Sequence, residues 1–430
     1  MKTPSPLETR RGRITTFTLL YLSEGIPFGF SAIALVTYLR QQGVGLAEIG
    51  FYSAWLYGPW SLKWAWAPLI DLIRPARFGP RRFWIAFAHI GMILTMALLL
   101  VFDPSKNFQL LTIVMVIHNV FSATQDVAID ALAVDVLEEE ERGVANGFMF
   151  GGQVLGQTIG GSGALYVTSA FGFEWSYAVV LGSLALILFF VTFRIREAPT
   201  LAQTAPPRGR ILRESAARLK IFGRDLFDGF LRSGKGPRLG LLFALLPSGA
   251  VALGLALGTT LQVDLGMSDR QIADLTLFST VLGAVGCVLG GWISDRLGHK
   301  KMLMVFYAVT VLPTLWLARQ FTGDGMAGVT LGEFWFATIA YAFCSGLLNG
   351  TYLAIFMGLT SVRVAATQFT GYMALGNAAY AYSSVWQGRI AASQGYAAVL
   401  VIDSLIVLVP VLIAPFLTPS TRGHAPPAEA

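Results

Sequence analysis

Apolar stretches of about twenty residues recur along almost the whole chain and are separated by shorter polar segments. A helix of that length crosses the hydrocarbon core of a bilayer, so the pattern predicts membrane-spanning helices. The first six are predicted near 15–39, 47–70, 83–101, 109–134, 144–170 and 176–194. The second six are predicted near 239–263, 271–294, 302–320, 333–358, 367–391 and 396–416. We number these predicted helices span 1 to span 12 in chain order.

The longest polar segment divides the spans six and six. This division predicts an N-terminal six-helix bundle at 1–194, a cytoplasmic linker at 195–238, and a C-terminal bundle with a tail at 239–430. Apolar residues recur in the linker at mostly helical spacing between Lys and Arg residues, which predicts a basic amphipathic helix on an anionic membrane surface. Its apolar positions are Leu212, Leu219, Phe222, Leu226 and Phe230.

Composition and charge support a membrane protein. The chain is 54% hydrophobic and 13% charged, whereas about a quarter of the residues of a soluble domain are charged. Most Lys and Arg residues fall in loops on one side of the predicted helices, which places both termini in the cytoplasm. The net charge of +6 then reflects topology, and no nucleic-acid partner is expected. We expect a monomer in the cytoplasmic (inner) membrane without a cofactor. Neither a disulfide nor a metal site is expected, because both cysteines, Cys287 and Cys344, lie in predicted spans.

The two halves carry an internal repeat at a constant offset of 224 residues. The matching pairs are Gly25 with Gly249, Asp71 with Asp295, and Gln125 with Asn349. These matches predict two parallel structural repeats related by an axis along the membrane normal. Glycines at four-residue spacing in spans 5 and 8 also predict that these two spans pack closely against each other. They are Gly152, Gly156, Gly160, Gly286 and Gly290.

The predicted loop between spans 8 and 9 has the sequence GWISDRLGHKK at 291–301. It resembles the cytoplasmic signature of the major facilitator superfamily, which implies the twelve-helix fold of that family. An Asp beside a basic cluster can form a charge latch that stabilises one conformation, although an ordinary basic loop is the alternative. The residues predicted to form this latch in the two halves are Asp71, Arg81, Arg82, Asp295, Arg296 and Lys300.

Ionisable residues lie within the predicted spans of the first half. Each costs about 2.5–3.5 kcal/mol on insertion, so such residues usually face a cavity or a partner. They are Glu24 in span 1, Lys63 in span 2, and Asp126 and Asp130 in span 4. In span 4 a polar face, typical of a cavity lining or a proton path, follows from a spacing of four residues. It comprises His118, Ser122, Asp126 and Asp130, with Gln125 nearby.

These charges leave two interpretations open. Either Asp126 or Asp130 binds a proton, since burial and a like-charged neighbour favour the neutral form, or Asp126 forms a permanent ion pair with Lys63. Lys63 in turn neutralises an internal acid or holds an anionic group of the substrate. The second half lacks these charges and offers neutral contacts suited to a sugar or a peptide, namely Asn349, Asn377 and Tyr380. Asp403 lies nearer the predicted outer face and is expected at the interface or in a pair.

The sequence SATQDVAID at 122–130, the segment 135–143, and Lys63 followed by WAPL at 66–69 carry a more specific resemblance. They resemble the AmpG muropeptide permeases and the acetyl-CoA transporters. The resemblance implies a proton-driven importer of sugar–peptide fragments of the cell wall, with a functional set of Lys63, Gln125, Asp126 and Asp130. Glu24 departs from these relatives, which tend to have a small or neutral residue there.

Several alternatives to a muropeptide remain open. A CoA ester, a siderophore and a drug are the other substrates considered, and a net acidic cavity suits the highly charged CoA ester least. A membrane-embedded sensor is the alternative of a different class. An enzyme is not expected, because the sequence contains no nucleophile elbow, metal-ligand cluster or nucleotide-binding loop.

Overall fold

The computed structural model describes residues 5–73, 75, 78–197, 217, 220–221, 223–224, 227–321, 328–360 and 365–418. Of the residues that predict the amphipathic linker helix, Leu212, Leu219, Phe222 and Leu226 lie outside this set, as does the side chain of Asp71. The described residues form helices joined by turns and contain no strand. Eight of the described segments are long and apolar enough to cross a membrane.

Every predicted span of the first half falls on helical structure. Span 1 contains Pro27, which has no amide hydrogen to donate, and it continues through a π-helical turn, Phe30–Ala34. The helices are Arg10–Gly29 with Leu35–Gln41, Leu46–Leu62 with Ala67–Leu72, Pro80–Leu98, Phe108–Val136, Glu139–Thr158 with Ala164–Phe171, and Ser176–Phe190.

The second half is also helical at every predicted span, so the all-α membrane fold predicted from the sequence is confirmed. Its last long helix contains both span 11 and span 12, which separate at Gly395 with a φ of 82°. The helices are Lys235–Ala244 with Ala256–Asp264, Asp269–Leu297, His299–Ala318, Leu331–Leu359, Ala365–Ile406 and Leu408–Ile413.

The chain divides into two compact units. Unit 1 comprises Met1–Val44, Trp55–Arg218 and Gly266–Thr276, and unit 2 comprises Gly45–Ala54, Leu219–Leu265 and Leu277–Ala430. Each unit therefore contains most of one predicted bundle and a short piece from the start of one span of the other bundle, span 2 or span 8.

Glycines set close helix contacts inside each unit. In unit 1, a Cβ atom at Gly25 would overlap the carbonyl oxygen of Gln153, and one at Gly160 would overlap that of Ile26, so span 5 packs backbone to backbone on span 1. In unit 2, Gly290 lies equally close to Leu347 of span 10. The glycines of span 5 therefore pack on span 1 and those of span 8 on span 10, because a small-residue face permits close approach without specifying the partner.

Span 7 is interrupted within the membrane region. Its first helix ends at Ala244, Pro247 follows, Gly249 has a φ of 94°, and the next α-helix begins at Ala256. Backbone groups freed at such a break need partners from the protein, because lipid offers none.

Neighbouring spans supply partners for the break. The amide of Ala250 donates to Thr310 Oγ1 at 3.2 Å, and the Tyr382 hydroxyl donates to the carbonyl of Leu245 at 2.6 Å. The break is therefore held by side chains of other helices of unit 2.

Candidate functional site

Lys63 and Asp126 form a buried ion pair in unit 1. The α-helix of span 2 ends at Leu62, and Lys63 begins a 3₁₀ turn from which its Nζ reaches Asp126 Oδ2 in span 4. The exposed fraction of the side chain is 16% for Lys63 and 7% for Asp126. This contact brings together two residues that the sequence placed in different spans.

Two tryptophans fix span 2 against span 4 on either side of this pair. The indole nitrogen of Trp60 donates to Asn119 Oδ1 at 3.1 Å, and that of Trp66 donates to Thr124 Oγ1 at 3.1 Å. Lys63 Nζ also lies 5.4 Å from the ring centre of Trp60. The two indole hydrogen bonds therefore hold span 2 against span 4 on either side of Lys63, and the Trp60 ring lies beside its ammonium group.

Asp130 lies one helical turn from Asp126 and has a different environment. It is exposed, and its Oδ1 accepts a hydrogen bond of 2.5 Å from the hydroxyl of Tyr21 in span 1. Tyr21 is itself buried. The acidic face of span 4 therefore contacts span 2 at Asp126 and span 1 at Asp130, and it is exposed at Asp130.

Glu24 is the most enclosed acid of this group. It is 1% exposed, and neither carboxyl oxygen has a hydrogen-bond partner among the described residues. Asp126, Asp130 and Lys63 are the charged groups near enough to act on it. A buried carboxylate without a donor is costly, so this side chain is not explained by packing.

A neutral polar network adjoins the charged residues. Gln125 is fully buried, and its Nε2 lies 3.3 Å from Ser23 Oγ and 3.2 Å from Nδ1 of His89. His89 Nδ1 also lies 3.3 Å from Thr192 Oγ1. His89 was not among the predicted site residues, although a histidine inside a predicted apolar span is a signal that could have identified it.

The two remaining predicted residues of span 4 are also buried, but they lie further along the helix. Nδ1 of His118 lies 2.8 Å from Thr95 Oγ1 of span 3, and its Nε2 has no partner among the described residues. Ser122 is 2% exposed. Gln125, Asp126 and Asp130 each contact a residue of another span in unit 1, and so does His118, whose partner Thr95 lies in span 3.

The predicted contacts of the second half are dispersed. Asn349 is exposed and Asn377 is half-buried, and neither side chain makes a hydrogen bond within the described part of the chain. The hydroxyl of Tyr380 lies 2.5 Å from Ser248 Oγ, next to the break in span 7. Tyr380 therefore supports an interrupted helix, and a role for these residues in substrate binding stays a prediction.

Asp403 is not interfacial, because it is 1% exposed. Its Oδ2 accepts from the amide of Ala252 at 2.8 Å, and its Oδ1 accepts from Nε2 of Gln387 at 3.1 Å. Unit 2 thus contains a buried carboxyl group held by two neutral donors. The role of Asp403 at the break in span 7 was not predicted, because the hydrophobic pattern of span 7 indicates a continuous helix.

The basic residues predicted for the first latch contact acids outside the predicted set. Arg81 Nε lies 3.0 Å from Asp135 Oδ2, and the amides of Arg81 and Arg82 donate to the Glu197 carboxylate, the latter at 2.6 Å. Burial raises the pKa of the Glu197 carboxyl above its ordinary value, against the opposing effect of these amides. Two acids therefore hold the start of span 3.

In the corresponding loop of the second half, the predicted latch residues are exposed or half-buried. Asp295 is exposed and lies 3.6 Å from Nε2 of His299, while the Arg296 guanidinium stacks 3.9 Å from the ring centre of Trp292. Lys300 is half-buried and makes no ion pair with a described residue. The function of both loops as a latch stays a prediction.

The fold and this site define a class of protein: a multi-pass membrane protein with charged and polar side chains buried inside a helical bundle, as solute transporters have. The chain belongs to the Major Facilitator Superfamily, whose family model matches residues 17–384. It is therefore a membrane transporter of small solutes and not an enzyme.

Proteins of similar sequence include transporters of a narrower group within this superfamily. The chain is 26% identical over 389 residues to an anhydromuropeptide permease of Escherichia coli (strain K12), covering 88% of this chain and 73% of the relative. It is 25% identical over 359 residues to a putative transporter AmpG 3 of Rickettsia typhi, covering 82% and 83% of the two chains. An uncharacterized protein of Haemophilus influenzae is 24% identical and covers 91% of both chains.

Solved structures agree on the fold. The inward-open xylose transporter XylE from E. coli matches with a TM-score of 0.70 at 13% identity, covering 97% of this chain and 98% of that one. A peptide transporter in complex with alafosfalin matches with a TM-score of 0.70 at 12% identity, covering 95% of each chain. At these identities the likeness concerns the fold alone.

Proposed function

We propose that this protein is a proton-coupled transporter that imports a muropeptide, an anhydro-sugar linked to a short peptide, across the cytoplasmic (inner) membrane as a monomer. The observation that carries the proposal is the cluster in unit 1, where Lys63 pairs with Asp126 and the carboxyl groups of Glu24 and Asp130 lie near enough to interact with both charges. The similarity to an anhydromuropeptide permease supports the substrate class.

The three acids have different environments, and we assign a different role to each of them. Asp126 is paired with Lys63, and Asp130 is exposed and accepts from the Tyr21 hydroxyl. Glu24 has neither a donor nor an ion-pair partner among the described residues. In this conformation Glu24 therefore holds a proton, since an ionised carboxylate without hydrogen bonds or a counter-charge costs several kcal/mol.

In this proposal, exchange of partners at Lys63 couples the movement of the substrate to the movement of a proton. A carboxylate of the substrate displaces Asp126 from Lys63, and the freed Asp126 then binds a proton that enters at the exposed Asp130. When the substrate leaves, Lys63 returns to Asp126 and the proton is released. The cycle requires no other ion, because the charge on Lys63 is balanced in every step.

The test is uptake of labelled anhydromuropeptide into proteoliposomes under an imposed proton gradient. Replacing Lys63→Met removes the group that both partners compete for, so gradient-driven accumulation is expected to fall by at least about tenfold, or ~1.4 kcal/mol. The matched control is Lys106→Met, which removes a lysine whose side chain is 80% exposed and paired with Asp103. This control should transport like the unaltered protein.

Two results would contradict the proposal. Equal gradient-driven uptake by the Lys63→Met variant and the unaltered protein would remove Lys63 from the coupling mechanism. Saturable muropeptide binding without flux in either direction would favour a membrane-embedded sensor.

A further inference from the structure

A cavity of about 570 Å³ lies in unit 1 between the start of span 1 and the end of span 6. It is separate from the charged cluster around Lys63, since no residue of that cluster lines it. The N-terminal segment closes one side, where the Ser5 hydroxyl donates to the carbonyl of Arg196 at 3.2 Å. The cavity therefore sits where two spans meet one membrane surface.

Three arginines line this cavity, namely Arg11, Arg194 and Arg196. All three are exposed, no carboxylate lines the cavity, and none of the three forms an ion pair with a residue that the structure describes. Arg194 lies 5.5 Å from the ring centre of Phe190, which keeps its guanidinium at the cavity wall. Within the part of the chain that the structure describes, the cavity thus presents three positive charges and no carboxylate in its lining.

The neighbouring arginine on the same helix shows that carboxylates are within reach of this region. Arg13 binds Glu141 at 2.6 Å and Glu138 at 3.1 Å. These acids neutralise the side of span 1 that faces away from the cavity. The charge on the cavity side is therefore left for a ligand.

The deeper wall of the cavity is apolar. It is formed by Leu19 of span 1 together with Phe190, Val191 and Phe193 of span 6. Leu19 lies eight residues beyond Arg11, so the wall reaches about 12 Å along the helix from the charged rim. The cavity is positive at the membrane surface and apolar towards the bilayer interior.

We propose that this cavity binds an anionic phospholipid, with the phosphate against Arg11, Arg194 and Arg196 and an acyl chain along Leu19 and Phe190. Basic pockets between membrane helices suit lipid phosphates. A free phosphate or another soluble anion would use the charged rim but not the apolar wall. A lipid uses both, so the combination selects a lipid.

The proposal is tested by native mass spectrometry of the full-length protein in detergent, titrated with dioleoyl-phosphatidylglycerol or dioleoyl-phosphatidylcholine. The unaltered protein should bind one phosphatidylglycerol more tightly than further copies, and should show no such site for phosphatidylcholine. In the triple variant Arg11→Gln, Arg194→Gln and Arg196→Gln this affinity should fall between about tenfold and a hundredfold. The matched control, with the same change of charge at other exposed positions, carries Arg142→Gln, Arg270→Gln and Arg389→Gln and should keep it.

A second variant tests the apolar wall and does not depend on folding of the triple variant. Leu19→Trp fills the deep part of the cavity and leaves the arginines, so it should also weaken phosphatidylglycerol binding. Equal binding of both lipids, or unchanged phosphatidylglycerol affinity in both variants, would overturn the proposal. Displacement of the tight lipid by millimolar inorganic phosphate would identify a soluble-anion site and would overturn it as well.

Discussion

The two units bury carboxyl groups in different ways. In unit 1, Asp126 contacts the ammonium group of Lys63, and the next acid on the helix, Asp130, is exposed. In unit 2, Asp403 is 1% exposed and accepts from the Ala252 amide and from Gln387. The first site pairs opposite charges beside an exposed acid, whereas the second is enclosed and its hydrogen-bond donors are uncharged.

This difference separates a site that can change its charge from one that stabilises a structure. Lys63 has a long flexible side chain and can exchange Asp126 for another anion. The Ala252 amide belongs to the backbone of the break in span 7 and cannot leave without refolding that segment. We therefore expect substitutions at Asp126 to alter transport and those at Asp403 to alter stability.

The sharpest test of this comparison is the same substitution at both sites. Asp126→Asn leaves Lys63 with no ionised partner at hydrogen-bond distance, and proton-driven uptake is expected to fall by about a hundredfold. Asp403→Asn should stay within about threefold of the unaltered protein. Both rates are measured in proteoliposomes at equal protein content, and equal losses at the two sites would break the comparison.

A second prediction concerns stability at Asp403. Asp403→Leu leaves the Ala252 amide and Gln387 without an acceptor and should lower the free energy of unfolding by about 2 kcal/mol. Asp403→Asn should cost less than about 1 kcal/mol, because Asn still accepts from Ala252. Gln387 Oε1 has no partner among the described residues, so its amide can rotate to accept from Asn. Thermal unfolding in detergent measures the stability of both Asp403 variants. Similar losses of stability in the two variants would refute a structural role of Asp403 based on hydrogen bonding.

The loops after spans 2 and 8 extend the comparison to charged residues at the membrane surface. Arg81 is 4% exposed and binds Asp135, so Arg81→Gln leaves a partly buried acid unpaired and should cost about 1.5 kcal/mol. Arg296 is exposed against Trp292, and Arg296→Gln should cost less than about 1 kcal/mol. Unfolding midpoints at one salt concentration decide the order, and a larger loss at Arg296 would contradict it.

The smallest expected effect concerns a single hydroxyl in each unit. Tyr21→Phe removes the hydrogen bond to Asp130 and should lower stability by about 1 kcal/mol. Tyr307→Phe is the matched control, because that buried hydroxyl has no partner among the described residues, and its loss should be close to neutral. Comparable unfolding temperatures for the two variants would show that the Tyr21 contact contributes nothing.

Hydrophobic periodicity was sufficient to predict the positions of all twelve spans, because a bilayer imposes a minimum apolar length on each crossing. The pairing of Lys63 with Asp126 was also open to prediction, since an unpaired charge in a span is costly. The local backbone conformation could not be predicted in this way. Gly25 and Gly249 match in the repeat, but Gly25 lies in a continuous helix and Gly249 in a break.

Partners across helices account for most of what the sequence left undetermined. Nothing in the composition of span 5 indicates that its glycines pack on span 1, and nothing near Asp403 indicates an amide 151 residues away as its donor. Such contacts depend on rotation of each helix about its axis, which a pattern of apolar residues restricts only to a broad face. The exposure of Asp130 and the enclosure of Glu24 follow from the same rotation.

The most direct test of coupling uses the unaltered protein and no imposed proton gradient. Liposomes that contain a pH-sensitive dye are given anhydromuropeptide on the outside, and internal pH and labelled solute are recorded together. Coupling through the acids around Lys63 predicts that the interior acidifies in step with solute entry. Solute entry at constant internal pH would contradict it.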